Sequence, residues 1–126
     1  MVMKILLVDD DTFLRDMYAT KFIECGHEVV TAVHASDALR ILEQDTLFDL
    51  VIVDMIMPGM TGVELMIELK KIKPDLGVKF IVLSNQGQDQ DIDEAKAAGA
   101  IGYIIKAQSV PSEVVKRVEE IVKEVT

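Results

Sequence analysis

The sequence has almost no cysteine, few basic residues and no long apolar run. Cys25 is the only cysteine, which excludes an internal disulfide and a cysteine-rich metal site. That usage suits a reducing cytoplasm, the expected location. Lysine and arginine total 13 against 22 acidic residues, a net charge of −9. Such a surface repels nucleic-acid phosphates, so no direct DNA or RNA contact is expected. The apolar start reaches only Val8 before three aspartates, too short for a secretory h-region or a membrane span. There is also no low-complexity segment, no proline- or serine-rich linker and no repeat in the solenoid range. With half of the residues hydrophobic, residues 1–126 read as one domain with a real core, and no output domain is expected.

What is present alternates. Lys4 to Val8 is a short apolar run, and Leu14, Tyr18, Phe22 and Cys25 then fall on one helical stripe. Gly26 sits where a glycine ends a helix, and residues 28–32 form a second strand. Ser36 is the expected N-cap of a helix burying Ala38, Leu39 and Leu42. Residues 50–53 are a third strand, ending in Asp54 and the Pro58-Gly59 turn. Thr61-Gly62-Val63-Glu64 has capping-box spacing, and Val63, Met66, Ile67 and Ile72 continue a helix from it to Lys73-Pro74. Residues 78–83 give a fourth strand, 89–98 an alanine-rich helix closed by Gly99, and 102–105 a fifth strand. Val114, Val118, Ile121, Val122 and Val125 stripe a last helix after Pro111.

Five strands alternating with five helices require a parallel sheet covered on both faces, because each helix must carry the chain back to the starting edge. In such a sheet the carboxyl ends of all strands share one rim, where ligands bind. The first strand ends in Asp9-Asp10-Asp11, the third in Asp54, the fourth in Ser84 and the fifth in Lys106, whereas the second ends in the chemically poor Ala32-Val33-His34. For the reactive groups to meet, the second strand must lie at the edge. The expected architecture is therefore a flavodoxin-like doubly wound (βα)5 fold with strand order 2-1-3-4-5.

Carboxylates gathered on one rim repel: at roughly 4 Å a like-charged pair costs about 4 kcal/mol at an effective dielectric near 20. Hard oxygen ligands favour Mg²⁺, which takes one or two carboxylates, several waters and a phosphate oxygen. Lys106 adds a cation and Ser84 a hydroxyl suited to a phosphoryl oxygen. A carboxylate nucleophile beside Mg²⁺ and a lysine describes an aspartyl-phosphate site.

On these residues the chain resembles a response-regulator receiver domain, the phosphorylatable module of bacterial two-component signalling. The resemblance rests on Lys4-Ile5-Leu6-Leu7-Val8-Asp9-Asp10, Val53-Asp54-Met55-Ile56-Met57-Pro58-Gly59-Met60-Thr61-Gly62, Leu83-Ser84 and Gly102-Tyr103-Ile104-Ile105-Lys106, and covers essentially the whole chain. It implies that Asp54 accepts a phosphoryl group from a sensor histidine kinase or phosphotransfer protein. It further implies that Asp10 binds Mg²⁺ with Asp9 and Asp54, that the Ile56 backbone carbonyl completes the protein ligands, and that Ser84 and Lys106 bind the phosphoryl group. Ser84 and Tyr103 would form the conformational switch. The fourth helix, fifth strand and fifth helix would present it to a downstream protein, and homodimerisation through the last helix occurs in the family. Such a module is not an enzyme beyond its own phosphoryl transfer and dephosphorylation.

Two places depart from the family's pattern: Ala107 follows the lysine where a cis-proline is usual, and Asn85-Gln86 follows the hydroxyl residue where a small side chain is common. Plainer readings exist for every site residue. Acids at a helix N-terminus stabilise it by about 0.3–1 kcal/mol, which accounts for Asp11. Asp54 alone is a strand-end acid, Ser84 a loop hydroxyl, Lys106 a solvated charge and Tyr103 half-buried packing. His27 and His34 read as loop residues, and Glu119-Glu120 as a solvated helix face. Other functions on this framework are a pseudo-receiver that docks partners without phosphorylation, a haloacid-dehalogenase-type phosphatase using Asp9 and Asp11 as its D-x-D pair, and a flavin carrier, which lacks a phosphate-cradling loop here.

Overall fold

The computed structural model describes residues 1–45 and 47–126. Its elements run β1 (Lys4–Val8), α1 (Thr12–Glu24), β2 (Glu28–Ala32), α2 (Ala35–Gln44), β3 (Leu50–Val53), α3 (Gly62–Ile72), β4 (Lys79–Ser84), α4 (Asp89–Ala97), β5 (Ala100–Ile105) and α5 (Pro111–Val125). A 3₁₀ turn over Lys106–Gln108 joins β5 to α5. The five strands pair in parallel in the order β2-β1-β3-β4-β5, the expected flavodoxin-like arrangement.

Strand alternation divides the core in two. Leu6, Val8, Val51, Val53, Phe80 and Val82 face one side, where Ala38 and Leu42 of α2, Val63 and Met66 of α3 and Ala95 of α4 cover them. Ile5, Leu7, Leu50, Ile52, Ile81 and Leu83 face the other, against Tyr18 and Phe22 of α1 and Val114, Val118 and Val122 of α5. Both faces of the central strands are buried, so their sequences read as unbroken apolar runs instead of alternating ones.

The helix ends follow local chemistry. Asp11 caps α1, its carboxylate accepting from the Leu14 N–H at 3.0 Å. Thr61 and Glu64 form the expected capping box on α3. Pro111 occupies the first turn of α5. Gly26 and Gly99 leave α1 and α4 at φ +94° and +111°, a conformation that a side chain would strain.

Several expectations at the margins are corrected. Cys25 is exposed at the end of α1, because the helix stops one residue before the stripe reaches it. Ser36 lies inside α2, which begins at Ala35 after His34 with no side-chain cap. Ile67 and Ile72 continue α3 as expected but are 44% and 41% exposed, the buried face being Gly62, Val63, Leu65, Met66 and Leu69. Val125 is likewise exposed, at the frayed end of α5. The fourth strand is shifted one residue on from the expected bounds, and the fifth starts two residues earlier.

His27 lies in the α1–β2 loop as expected, but it is not solvated there. It is buried at the amino end of the sheet, where its Nδ1 accepts from the Met3 N–H at 3.1 Å and its Nε2 lies 2.7 Å from Glu119 of α5. Phe22 packs against its ring edge-on. This side chain therefore ties the start of β1, the α1–β2 turn and α5 together, and Glu119 is engaged where a solvated face was expected. His27→Ala should cost about 2–3 kcal/mol, since it also strands the buried Met3 N–H. Urea unfolding should show this as a lower midpoint at unchanged slope.

Candidate functional site

The strand register builds the site. Val8, Val53, Val82 and Tyr103 stand side by side across β1, β3, β4 and β5. One step further toward the carboxyl ends come Asp9 and Asp54. They share side-chain parity with Ile5, Leu7, Leu50 and Ile52, so both turn toward the α1–α5 face. Lys106 has the parity of Ile104, which packs on that face as well. The three meet there. The Lys106 Nζ donates to Asp9 Oδ2 at 2.6 Å and to Asp54 Oδ2 at 2.7 Å, and all three residues are buried.

Ser84 and Tyr103 have the opposite parity and turn to the α3–α4 side, where Tyr103 packs on the core. Ser84 is buried, and its hydroxyl accepts from the Gln86 N–H at 3.2 Å. The half-buried Tyr103 donates its hydroxyl to the Gln86 carbonyl. Gln86 of the departing Asn85-Gln86 pair thus joins the two expected switch residues through its backbone. Burial, and then the Asp91 charge, push the Tyr103 phenol above its ordinary value against the Ser84 hydroxyl.

The β1–α1 turn brings in the remaining acids. Asp9 Oδ1 accepts from the Asp11 N–H at 3.0 Å. Asp10 is exposed, and its carboxylate joins those of Asp9 and Asp54 in a cluster whose oxygens lie within 4.8 Å of one another. Three carboxylates at this spacing with one ammonium are a donor set suited to a hard divalent cation. The Asp11 carboxylate caps α1 and is not part of the cluster, which does not suit a D-x-D pair of Asp9 and Asp11. Ile56 is exposed at the rim and its N–H donates to Asp54 Oδ1 at 3.2 Å. A methyl group on Gly62 would run into the Asp54 carbonyl, so only glycine lets α3 start this close to the acid.

After Lys106 the chain enters the 3₁₀ turn through a trans peptide to Ala107, and no cis peptide occurs among the described residues.

A doubly wound sheet with a carboxylate and lysine cluster at the carboxyl ends of β1, β3 and β5 defines a class of phosphate-handling switch domains. A family model for the response regulator receiver domain matches residues 5–119. The chain belongs to the response-regulator receiver domain family. It is 36% identical over 105 residues to the two-component response regulator PhoP of Pseudomonas aeruginosa, covering 82% of this chain and 45% of that protein. It is 30% identical over 119 residues to the phosphate regulon transcriptional regulatory protein PhoB of the same species, covering 94% and 51%. The chain thus spans about half the length of these two relatives, and 22% of the transcriptional regulatory protein GlrR of Escherichia coli.

Among solved structures, the chemotaxis protein CheY4 of Vibrio cholerae matches with a TM-score of 0.86 at 28% identity, covering 96% of this chain and 99% of that one. A CheY-like receiver domain protein from Methanospirillum hungatei JF-1 matches at 0.85 and 30%, covering 98% and 96%. Receiver domains are signalling switches, not classical enzymes. They interact with histidine kinases or phosphotransfer proteins and typically bind Mg²⁺ in an acidic pocket. No helix among the described residues is long and apolar enough to cross a membrane.

Burial pushes the Asp9 carboxyl above its ordinary value of 3.8, against the Lys106 ammonium and the Asp11 N–H. Burial also opposes the Lys106 charge, but its bonds to Asp54 and Asp9 outweigh that and hold it above its ordinary value. Between the ordinary and raised values of Asp9 the folded state binds the proton that the unfolded state has lost, so stability falls as pH rises through that window. Asp9→Asn should therefore raise the melting temperature at pH 7 without divalent cation, since Lys106 keeps Asp54 as its partner. The gain should shrink as the pH falls toward 4. Lys106→Met should do the reverse and lower it, leaving two carboxylates without their cation.

Proposed function

We propose that this protein is a phosphorylation-dependent signalling switch in which Asp54 accepts a phosphoryl group from a phosphohistidine on a sensor histidine kinase or phosphotransfer protein. The observation that carries this reading is the Asp54 carboxylate, buried at the end of β3 and within 2.7 Å of the Lys106 ammonium. An Asp54 oxygen attacks phosphorus, a P–O bond forms, and the P–N bond breaks with its electron pair returning to the imidazole. Asp9, Asp10, Asp54 and the Ile56 carbonyl would hold Mg²⁺. Bound there, Mg²⁺ supplies neutralisation of the charge shared between the acids and the phosphoryl oxygens. Lys106 is already in place to leave Asp9 and follow the new negative charge on Asp54.

The phosphoryl group offers three acceptor oxygens where Asp54 offered one pair, and Ser84 is the hydroxyl on the neighbouring strand that can reach them. Moving Ser84 disturbs the Gln86 N–H bond, and through the Gln86 carbonyl the hydroxyl of Tyr103. The modification thus shifts a population between two arrangements of the β4–α4 loop, by as much as the phosphoryl group prefers one over the other. The surface formed by α4, β5 and α5 would carry that change to a downstream protein, with homodimerisation through α5 as one form of output. Water attack on the acyl phosphate would return the carboxylate and release inorganic phosphate, at a rate that Asn85 and Gln86, following Ser84 in the chain, would tune.

Incubation with a small acyl-phosphate donor and Mg²⁺ should give a retarded band for the wild type on a phosphate-affinity gel and none for Asp54→Asn. An unshifted wild type would leave the protein as a docking module of the same fold.

A further inference from the structure

Arg15 is an arginine buried to nine-tenths on α1, on the face of the sheet where Asp9, Asp54 and Lys106 meet. Its Nη1 donates to the backbone carbonyl of Asp9 at 3.1 Å. Its Nε is buried with no hydrogen-bond partner among the described residues. The nearest carboxylate to that nitrogen is Asp16 Oδ1 at 3.9 Å, too far for a hydrogen bond. Burying a guanidinium with an orphaned donor is costly, and a methionine would fill the same space without that cost. The side chain needs a reason beyond packing.

The bonded atom supplies one. The Asp9 carbonyl belongs to the planar peptide unit whose other half is the Asp10 N–H, so holding that oxygen sets the orientation from which Asp10 departs. The rest of the turn is held on either side of this unit. The Asp9 N–H remains in the sheet, bonded to the Ala32 carbonyl at 3.1 Å. Asp9 Oδ1 takes the Asp11 N–H, and the Asp11 carbonyl takes the Arg15 N–H at 2.9 Å. Asp10 itself is exposed and holds none of these bonds. Its place in the carboxylate cluster depends on the peptide that Arg15 grips.

We propose that Arg15 is a positioning residue for the metal site: its guanidinium fixes the Asp9–Asp10 peptide and thereby presents the Asp10 carboxylate to Mg²⁺. This rests on the reading of Asp9 and Asp10 as metal ligands. Removing a group that orients a ligand typically weakens metal binding on the order of ten- to a hundredfold.

The test is a Mg²⁺ titration of the full ¹⁵N-labelled chain, following the Asp10 amide cross-peak, with melting temperatures recorded alongside. Arg15→Met should shift that cross-peak before any metal is added and weaken Mg²⁺ about tenfold or more. Arg15→Lys, which keeps a cationic donor able to reach the carbonyl, should stay within about threefold of wild type. If Arg15→Met does not fold, Arg15→Gln, whose donor sits two bonds short of Nη1, takes its place with the same expected loss. A variant that melts lower yet binds Mg²⁺ like the wild type overturns the proposal and leaves Arg15 as packing. Equal losses in Arg15→Lys and Arg15→Met overturn it too, since the donor would then be irrelevant. A wild type that ignores Mg²⁺ overturns the metal-dependent reading itself, and this inference with it.

Discussion

Everything at the rim of this sheet answers one electrostatic problem: two carboxylates, Asp9 and Asp54, are buried together with a single ammonium, Lys106, between them. A lone ionised carboxylate in such a place would give up its charge. Here the Lys106 ammonium bonds both Asp9 and Asp54, but with Asp10 three acids share one cation and leave the cluster short of positive charge. That deficit is the chemical opening. A divalent cation would relieve it, and a phosphoryl group would then have a place where its charge is met on several sides. The fold's task is to hold this imbalance at a fixed place without collapsing it, and the unbroken apolar strands behind the rim supply the rigidity.

The two-sided division of the sheet separates the tasks. Asp9, Asp54 and Lys106, with Arg15 behind them, sit toward α1 and α5, where phosphoryl chemistry would occur. Ser84 and Tyr103 sit toward α3 and α4 and are joined through the Gln86 backbone, where a response would be transmitted. Because strands alternate by single residues, adjacent positions on one rim serve different faces.

Much of this was legible in the sequence because it follows from period and parity. The apolar runs at Lys4 to Val8 and Leu50 to Val53, each ending in aspartate, locate the rim, and the poor chemistry after Ala32 places β2 at the edge. The capping box at Thr61 and the glycines at 26 and 99 are local signals and held. What failed depended on neighbours distant in the chain. The burial and bonding of His27 in its loop were not visible because its partners, Met3 and Glu119, lie 24 and 92 residues away. Arg15 drew no reading at all, because its partner is a backbone carbonyl in the turn after β1. Ile67 and Ile72 are helical as expected, but neither is on the buried face of α3.

Asp54, and no other acid of the cluster, is the group proposed to take the phosphoryl. Borohydride reduction of the protein after exposure to an acyl-phosphate donor and Mg²⁺, followed by peptide mass mapping, tests it directly, because an aspartyl phosphate is reduced to homoserine. Homoserine is expected at position 54 alone and only when both donor and Mg²⁺ are present. Homoserine at position 9 or 10, or none anywhere, would contradict it.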